Sequence, residues 1–206
     1  AVFEIIDKSC AEHTIIATNT SSLSVNELSK STNRPERFIG LHFFYHPAKN
    51  RLVEIIPGDE TSIETLERVE QFCKRIGKVP IICKDKPGFA VNRFFVPWLN
   101  EAVLILEDNL GTPEQIDAIA REVFEIGMGP FALMNATGLP IALHSSDYLS
   151  EQLKTPRFRG ASLLRKTVNS GIKGSIRIII KIHTKLRSKD VFCLINDYDF
   201  ILRLTN

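Results

Sequence analysis

The residues of this chain best suited to proton transfer are His42 and Glu54. Residues 37–44 and 52–56 around them are typical of β-strands, and the stretch 45–51 between them contains turn-forming residues. If the strands pair antiparallel about that turn, the two side chains lie opposite each other on one face, with Cβ atoms about 5 Å apart. A carboxylate in that position fixes the tautomer of the imidazole and stabilises its protonated form, as a general base requires. On spacing alone, a structural histidine of the core paired with an acid is the more common explanation.

The composition is that of an ordinary globular chain, and it excludes several classes of function. The 206 residues suffice for one large or two small domains, and 44% hydrophobic with 24% charged residues can form a buried core. A formal net charge of +2 argues against nucleic-acid or membrane-surface partners. The four cysteines form no CxxC pair, so we expect neither a disulfide framework nor a metal site.

The ends and the hydropathy of the chain bear on its location. The sequence has no apolar run of about eighteen residues, and its amino terminus lacks a secretory pattern. We therefore expect a soluble intracellular protein. The sequence leaves open whether the compartment is cytoplasmic, mitochondrial or peroxisomal.

The first part of the chain alternates strands and helices. A strand over 14–18 leads into the polar residues 19–22, at the strand end where ligands collect in open α/β sheets. The other predicted elements here, besides the two strands of His42 and Glu54, are a short helix over 24–29, a helix opened by a capping box at 61–64 and ended by Gly77, and a strand over 78–84.

The pattern becomes helical after Asp85. Apolar residues recur at helical spacing over 91–106, and Thr112–Gln115 forms a capping box that opens a second helix to about Phe124. Two further helical stretches are predicted at 131–136 and 141–153. The broad apolar face of 91–106 suits an interface between two copies of the chain, and an intramolecular core explains it equally well.

Five motifs in register resemble the L-3-hydroxyacyl-CoA dehydrogenase family, the NAD-dependent enzymes of fatty-acid β-oxidation. They are TNTSSL at 18–23, RPERFIGLHFF at 34–44, LVEII at 52–56, KDKPGFAVNR at 84–93 and GMGPFALM at 127–134. Their order and spacing agree with the family over about residues 1–172. The resemblance implies an α/β fold: the carboxyl-terminal part of a Rossmann domain over 1–84, then an all-α helical domain over 85–172, with a divergent tail over 173–206.

The resemblance also implies four catalytic positions for the oxidation of L-3-hydroxyacyl-CoA to 3-oxoacyl-CoA. His42 would take the proton of the 3-hydroxyl group as hydride leaves C3 for the nicotinamide, and Glu54 would orient His42. Ser21 would hydrogen-bond the reacting oxygen or nearby groups, and Asn92 would contact the substrate from the helical domain. The chemistry agrees, because alcohol oxidation needs a base with a pKa near neutrality, and histidine supplies one at about 6.5.

Cofactor contacts are expected from Asn19, Ser21 and Tyr45, with NAD as the cofactor. Tyr45 departs from the family, which has an asparagine after HFF at this point. Plainer roles remain open for two of the site residues, since Ser21 could be the N-cap of the following helix and Asn92 could cap its own helix.

Two family features are not found in this sequence. The first is the Gly-rich phosphate loop at a helix amino terminus, with its acid for the ribose; the GxG at 127–129 lies among predicted helices before Pro130. We therefore expect that the chain begins inside the Rossmann domain, binds NAD too weakly to act alone, and also lacks the helical arm for CoA. The second is the family's ending: the match fades at 171–174, which suggests a translated frameshift or unspliced sequence, with weak strands at 176–182 and 191–195.

Other functions remain open beside an acyl-CoA dehydrogenase that forms homodimers through its helical domain. One is a dehydrogenase of small 3-hydroxy acids, which shares the architecture and a similar pair of site residues. Another is a non-catalytic remnant whose helical domain only self-associates. The acyl chain-length preference and the presence of an upstream hydratase domain are not determined by these residues.

Overall fold

The computed structural model describes residues 2–172, which form two compact units, 2–90 and 91–172. The first unit contains α1 (Val2–Ser9), β1 (Ile16–Thr18), α2 (Val25–Ser29), β2 (Phe38–Phe43), β3 (Leu52–Pro57), α3 (Ile63–Arg75) and β4 (Val79–Ile82). The second contains α4 (Asn92–Glu107), α5 (Pro113–Phe124), α6 (Pro130–Thr137), α7 (Leu139–Gln152) and α8 (Ser162–Asn169). The strands predicted at 176–182 and 191–195 lie outside the described residues.

The four strands of the first unit form one mixed sheet in the order β1-β2-β3-β4. Strand β2 is parallel to β1 and antiparallel to β3, and β4 is parallel to β3. The β2–β3 register pairs His42 with Glu54, so the predicted antiparallel pairing is confirmed. The hydrophobic pattern specifies this register, because a slip of one residue would move every core side chain to the opposite face of the sheet.

The alternation along β2 and β3 gives the sheet two different faces. Helix α3 covers one face, where the buried residues are Ile39, Leu41, Val53, Ile55, Val69 and Cys73. The opposite face packs around Ile16, Val25, Phe38, Ile56 and Phe89, with Phe3 and Ile6 of α1 against it. His42 and Glu54 share strand parity with Phe38 and Ile56, so the pair lies on this second face.

Gly40 lets α2 approach that second face closely. A Cβ atom at this position would lie 2.8 Å from Val25 Cγ2 and 2.9 Å from Ile56 Cβ. These distances are shorter than a van der Waals contact, so any side chain here would force α2 or β3 to move. The close packing of α2 on the sheet thus depends on Gly40, in the middle of the strand that carries His42.

Helix α3 begins one residue later than its sequence pattern predicted. Ser62 is the N-cap, and its hydroxyl accepts a hydrogen bond from the Thr65 N–H at 3.1 Å, whereas the predicted capping box started at Thr61. The Thr61 hydroxyl instead accepts from the Gly58 N–H and donates to the Phe38 carbonyl at 2.7 Å. The capping box was therefore wrong because a long-range strand contact takes up the Thr61 hydroxyl.

The second unit is helical, and its buried polar groups serve its helix ends. The predicted capping box at Thr112 and Gln115 is present at the start of α5. Asp117 of α5 accepts hydrogen bonds from the Phe131 N–H at 2.8 Å and the Ala132 N–H at 3.0 Å, which are otherwise unpaired donors in the first turn of α6. The core comprises Ala102, Val103, Ile116, Phe131, Met134, Leu139, Ala142, Leu143, Ala161 and Leu164.

The apolar face of α4 is divided between core and surface. Ala102 and Val103 lie in the core of the unit, so an intramolecular core explains this part of the face. Phe94 and Phe95 near the start of the helix are exposed, Phe94 by 78%. Among residues 2–172, no helix has the length and apolar character needed to cross a membrane.

Candidate active site

Strands β2 and β3 hold His42 and Glu54 against each other inside the first unit. The His42 Nδ1 atom lies 2.7 Å from Glu54 Oε2. The exposed fraction is 4% for His42 and 0% for Glu54. A carboxylate buried to this degree is stable only with hydrogen-bond donors around it, so the imidazole and the carboxylate depend on each other.

The second oxygen of Glu54 is held by two further donors. Glu54 Oε1 accepts a hydrogen bond from the Ala90 N–H at 2.9 Å, and the Cys83 Sγ atom lies 3.6 Å from the same oxygen. A turn before Ala90 places that N–H: Gly88 and Phe89 both have positive φ, 77° and 44°, and the Phe89 N–H donates to the Lys86 carbonyl at 2.8 Å. Both carboxylate oxygens are thus fixed in direction.

This geometry defines which nitrogen of His42 can act as a base. With Nδ1–H donated to Glu54, the imidazole carries its lone pair on Nε2, and the carboxylate stabilises the ring when Nε2 takes a proton. The rings of Phe44 and Phe89 lie beside the imidazole, with centroids at 4.6 Å and 5.8 Å. The aromatic side chains keep the imidazole in one orientation. Chemically, an imidazole held in this way can accept a proton at Nε2.

The segment after β1 reaches the same end of the sheet. The Asn19 side chain accepts a hydrogen bond from the Phe43 N–H at 2.8 Å, so its amide lies beside the neighbour of His42. Ser21 follows in an exposed bend two residues later. The alternative role of Ser21 as a helix N-cap is wrong, because Ser24 caps α2 by accepting from the Glu27 N–H at 3.2 Å.

The other two predicted site residues lie at element ends. Tyr45 follows β2 in the turn, where its ring is 41% exposed and packs edge-on against the His46 ring at 6.0 Å. Asn92 is the first residue of α4 in the second unit and is partly buried. The residue at the N-cap position of α4 is Val91, so Asn92 does not occupy it.

Sequence reasoning missed three groups that contact the pair: the Cys83 thiol, the Ala90 N–H and the Phe89 ring. Cys83 and Ala90 are 29 and 36 positions from Glu54 along the chain. A backbone N–H leaves no signal in residue type. The only available signal was the clustering of all three within or just before the KDKPGFAVNR motif.

The surroundings of Cys83 keep its thiol protonated. Burial, and then the negative charge of Glu54, raise the pKa of Cys83 to about 11. At neutral pH the sulfur therefore carries a hydrogen that can be donated to the carboxylate.

The comparisons with known proteins cover both the sheet unit and the helical unit. The family model of the 3-hydroxyacyl-CoA dehydrogenase NAD binding domain matches residues 1–86, and that of the C-terminal domain of the same family matches residues 88–177. The chain belongs to the 3-hydroxyacyl-CoA dehydrogenase family. Its fold is accordingly a Rossmann-type domain followed by a helical domain, as the sequence resemblance implied.

Individual relatives support the same assignment. A 3-hydroxybutyryl-CoA dehydrogenase of Clostridioides difficile is 40% identical over 173 residues, which are 84% of this chain and 62% of the relative. The mitochondrial hydroxyacyl-coenzyme A dehydrogenase of Homo sapiens is 44% identical over 138 residues, 67% of this chain and 44% of the relative. The crystal structure of (S)-3-hydroxybutyryl-CoA dehydrogenase from Ralstonia eutropha has a TM-score of 0.77 at 40% identity, covering 84% of this chain and 61% of that one. The chain thus spans less than two thirds of each of these relatives.

Proposed function

We propose that this chain carries the acid–base part of an NAD-dependent dehydrogenase that oxidises L-3-hydroxyacyl-CoA to 3-oxoacyl-CoA. The observation that carries the proposal is the buried His42–Glu54 pair, with Nδ1 and Oε2 at 2.7 Å. The family and the names of the relatives support the substrate class, and the geometry of the pair supports the role of His42 as the base. Bound NAD would supply the hydride acceptor.

The reaction divides into a hydride and a proton. As the C3–H bond breaks and its electron pair leaves as hydride, the oxygen of the 3-hydroxyl group forms the carbonyl and releases its proton to His42 Nε2. Glu54 stabilises the imidazolium that results, since its carboxylate already accepts the Nδ1–H. Reduction is the reverse, with the imidazolium as acid. Water is kept from the pair by burial and by the rings of Phe44 and Phe89.

Four polar residues would complete the site. Ser21 would donate to the oxygen whose charge changes during the reaction, and Asn92 would contact the substrate. Asn19, whose Oδ1 is taken by the Phe43 N–H, would offer its amide NH₂ to the cofactor, together with Ser21 and Tyr45. These groups suit the nicotinamide part of NAD. The sequence holds no Gly-rich loop after a strand for the pyrophosphate, so we expect the chain alone to bind NAD weakly and to turn over no substrate.

A segment-exchange chimera tests this function. In it, the matching part of this chain replaces the corresponding segment of the Clostridioides difficile relative, and NADH-dependent reduction of acetoacetyl-CoA is followed. We expect the chimera to be active and this chain alone to be inactive. The substitution His42→Asn in the chimera should lower kcat by about 10²- to 10⁴-fold, because it removes the base. Free acetoacetate in place of the thioester distinguishes the small 3-hydroxy acid dehydrogenases.

Three results would contradict the proposal. A chimera that binds NADH by calorimetry but reduces no acetoacetyl-CoA refutes the function. Full activity of the His42→Asn chimera refutes the role of the base. Micromolar NAD affinity of this chain on its own, measured by calorimetric titration, refutes its dependence on a phosphate loop.

A homodimer through the helical unit is the second part of the proposal. Helices α4 and α5 expose large apolar side chains, at Phe94 by 78%, Val123 by 66% and Phe124 by 62%. Apolar surface of this kind favours burial against a second copy. Sedimentation of the full chain should give a dimer that Phe94→Glu or Val123→Glu dissociates, while Leu110→Glu, at a 75% exposed position in the loop after α4, does not. A monomeric wild-type chain would exclude this interface.

A further inference from the structure

The position of Cys83 next to the His42–Glu54 pair is set by the sheet. Cys83 directly follows β4, and its backbone N–H donates to the Ile55 carbonyl of β3 at 2.9 Å. This bond holds the residue beside Glu54, and the thiol lies 3.6 Å from Oε1. Its side chain also packs against the cluster of Ile16, Val25, Phe38, Ile56 and Phe89, which restricts its rotation.

The thiol and the Ala90 N–H share one oxygen of the carboxylate. The Ala90 N–H lies 2.9 Å from Oε1, while the imidazole holds Oε2 at 2.7 Å. A carboxylate with donors on both oxygens cannot rotate without losing bonds, so the donors on Oε1 also determine where Oε2 points. The thiol is available as a donor because Glu54 and burial keep it protonated.

We propose that Cys83 is a positioning residue: its thiol donates to Glu54 Oε1 and thereby limits the negative charge that Glu54 presents to His42. This inference rests on the proposed function for its effect on catalysis, while the contact itself belongs to the first unit alone. A donor on one carboxylate oxygen withdraws charge from the other. Loss of the thiol should therefore strengthen the pull of Glu54 on the imidazolium and shift the titration of His42 to higher pH.

Titration of the histidine side chains by nuclear magnetic resonance tests this in the full chain, with no need for NAD or turnover. The signal of His42 is identified by its absence in His42→Asn. In Cys83→Ala we expect its midpoint to rise by about half a pH unit. In Cys83→Ser, which keeps a donor, the midpoint should remain at or below that of the wild type. Cys73→Ala is the matched control, because Cys73 is a buried cysteine of the same unit, on the α3 side of the sheet.

The order of the His42 midpoints among these variants tests the proposed role of Cys83. A Cys83→Ala midpoint that moves no further than that of Cys73→Ala, or that moves to lower pH, overturns the proposal. Equal shifts in Cys83→Ala and Cys83→Ser also overturn it, because side-chain volume rather than the donor would then be the cause. Since the readout requires no catalysis, a positive result holds even if the proposed dehydrogenase activity is refuted.

A second measurement serves if Cys83→Ala does not fold. Alkylation of Cys83, followed by peptide mass spectrometry over a range of pH, reports the ionisation of the thiol in an otherwise wild-type chain. In Glu54→Gln the alkylation midpoint should fall, because the negative charge that holds the proton on sulfur is gone. An unchanged midpoint would show that the thiol and the carboxylate are not coupled.

Discussion

Two buried carboxylates, Glu54 in the sheet unit and Asp117 in the helical unit, differ in what they hold. Glu54 accepts from an imidazole at 2.7 Å and a backbone N–H at 2.9 Å. Asp117 accepts from two backbone N–H groups, at 2.8 Å and 3.0 Å, in the first turn of α6. A buried charge needs hydrogen-bond donors, and both carboxylates have them. Glu54 thus faces an imidazole, a side chain that can transfer protons, whereas these two donors to Asp117 are backbone amides.

Burial of an acid does not by itself identify a functional site. In the sheet unit, neighbouring strands place side chains directly opposite each other, which suits a pair of chemically different groups. In the helical unit, helix ends offer unpaired backbone groups, and buried polar side chains satisfy them. Asn100 repeats the behaviour of Asp117, since its Oδ1 accepts from the Ala161 N–H at 2.7 Å just before α8.

The largest expected effect is the difference in catalytic activity between substitutions of the two carboxylates. In the acetoacetyl-CoA chimera, Glu54→Gln should lower kcat by about 10²-fold, because the neutral amide no longer stabilises the imidazolium. Asp117→Asn should leave kcat within about twofold, since Asp117 accepts hydrogen bonds from two backbone N–H groups at the start of α6. Steady-state kinetics measures kcat for both variants. Equal reductions in kcat would contradict the different roles of Glu54 and Asp117.

The next largest effect is expected on the free energy of unfolding, at one closely packed glycine in each unit. An alanine Cβ at Gly129 would lie 2.6 Å from the Asp117 Cα atom, and at Gly40 it would lie 2.8 Å from Val25 Cγ2. Each substitution should lower the free energy of unfolding by about 1–3 kcal/mol. Gly129→Ala should cost more, because a backbone atom must move.

The control for these glycines is Gly127→Ala, where nothing lies within 4 Å of the added Cβ atom. Its effect should be within about 0.5 kcal/mol. Urea unfolding measures all three variants, and the fluorescence of Trp98, the single tryptophan, reports on the helical unit. Equal losses at Gly127 and Gly129 would refute the close packing of α5 against the start of α6.

A smaller loss is expected when the acceptor of the α6 amides is removed. Asp117→Ala leaves two N–H groups without the acceptor that they have now, and it should lower the free energy of unfolding by about 1–2 kcal/mol. Asp117→Asn keeps one acceptor oxygen and should lose less. Trp98 fluorescence measures the urea unfolding of both variants. If Asp117→Ala unfolded at the same urea concentration as the wild type, the helix-capping role would be wrong.

The smallest expected effect concerns how the free energy of unfolding depends on pH. One ion pair from each unit contributes to it. The Asn33 N–H, followed by Arg34, holds the pKa of Asp7 below its ordinary value, and Arg165 does the same for Asp147. A lowered carboxyl pKa contributes stability above the unfolded value of 3.8, and this contribution is lost as the pH falls through the folded pKa. Stability should thus be level near pH 6 and decline below about pH 4.

Asp7→Asn and Asp147→Asn test the two ion pairs separately. Each variant should flatten the acid decline of its own unit in urea unfolding between about pH 3 and pH 6, followed by far-ultraviolet circular dichroism and by Trp98 fluorescence. Only Asp147→Asn should alter the fluorescence-detected decline. An acid profile that neither variant changes would exclude both carboxyl groups as its origin.

Elements predicted from sequence were right where the signal was local. Helices α3 and α5 were indicated by periodicity and polar caps, and α5 kept its predicted Thr112–Gln115 capping box. One error occurred where a long-range contact competed for a polar side chain, and another where the start of a helix was misplaced. Thr61 is not the N-cap of α3, because its hydroxyl donates to the Phe38 carbonyl of β2. Ser21 is not the N-cap of α2, because that helix begins at Val25 and Ser24 caps it.

The sequence by itself determined the central pair. His42 and Glu54 are 12 positions apart in two adjacent strands, so alternation of side chains and one short connection are enough to bring them together. The tertiary structure alone decided what holds the pair. The Cys83 thiol, the Ala90 N–H and the Phe89 ring come from a segment that must first fold back along the sheet, and a backbone donor leaves no mark in residue type. Local periodicity encodes which residues face each other across neighbouring strands, whereas contacts between distant segments depend on the packing of the whole unit.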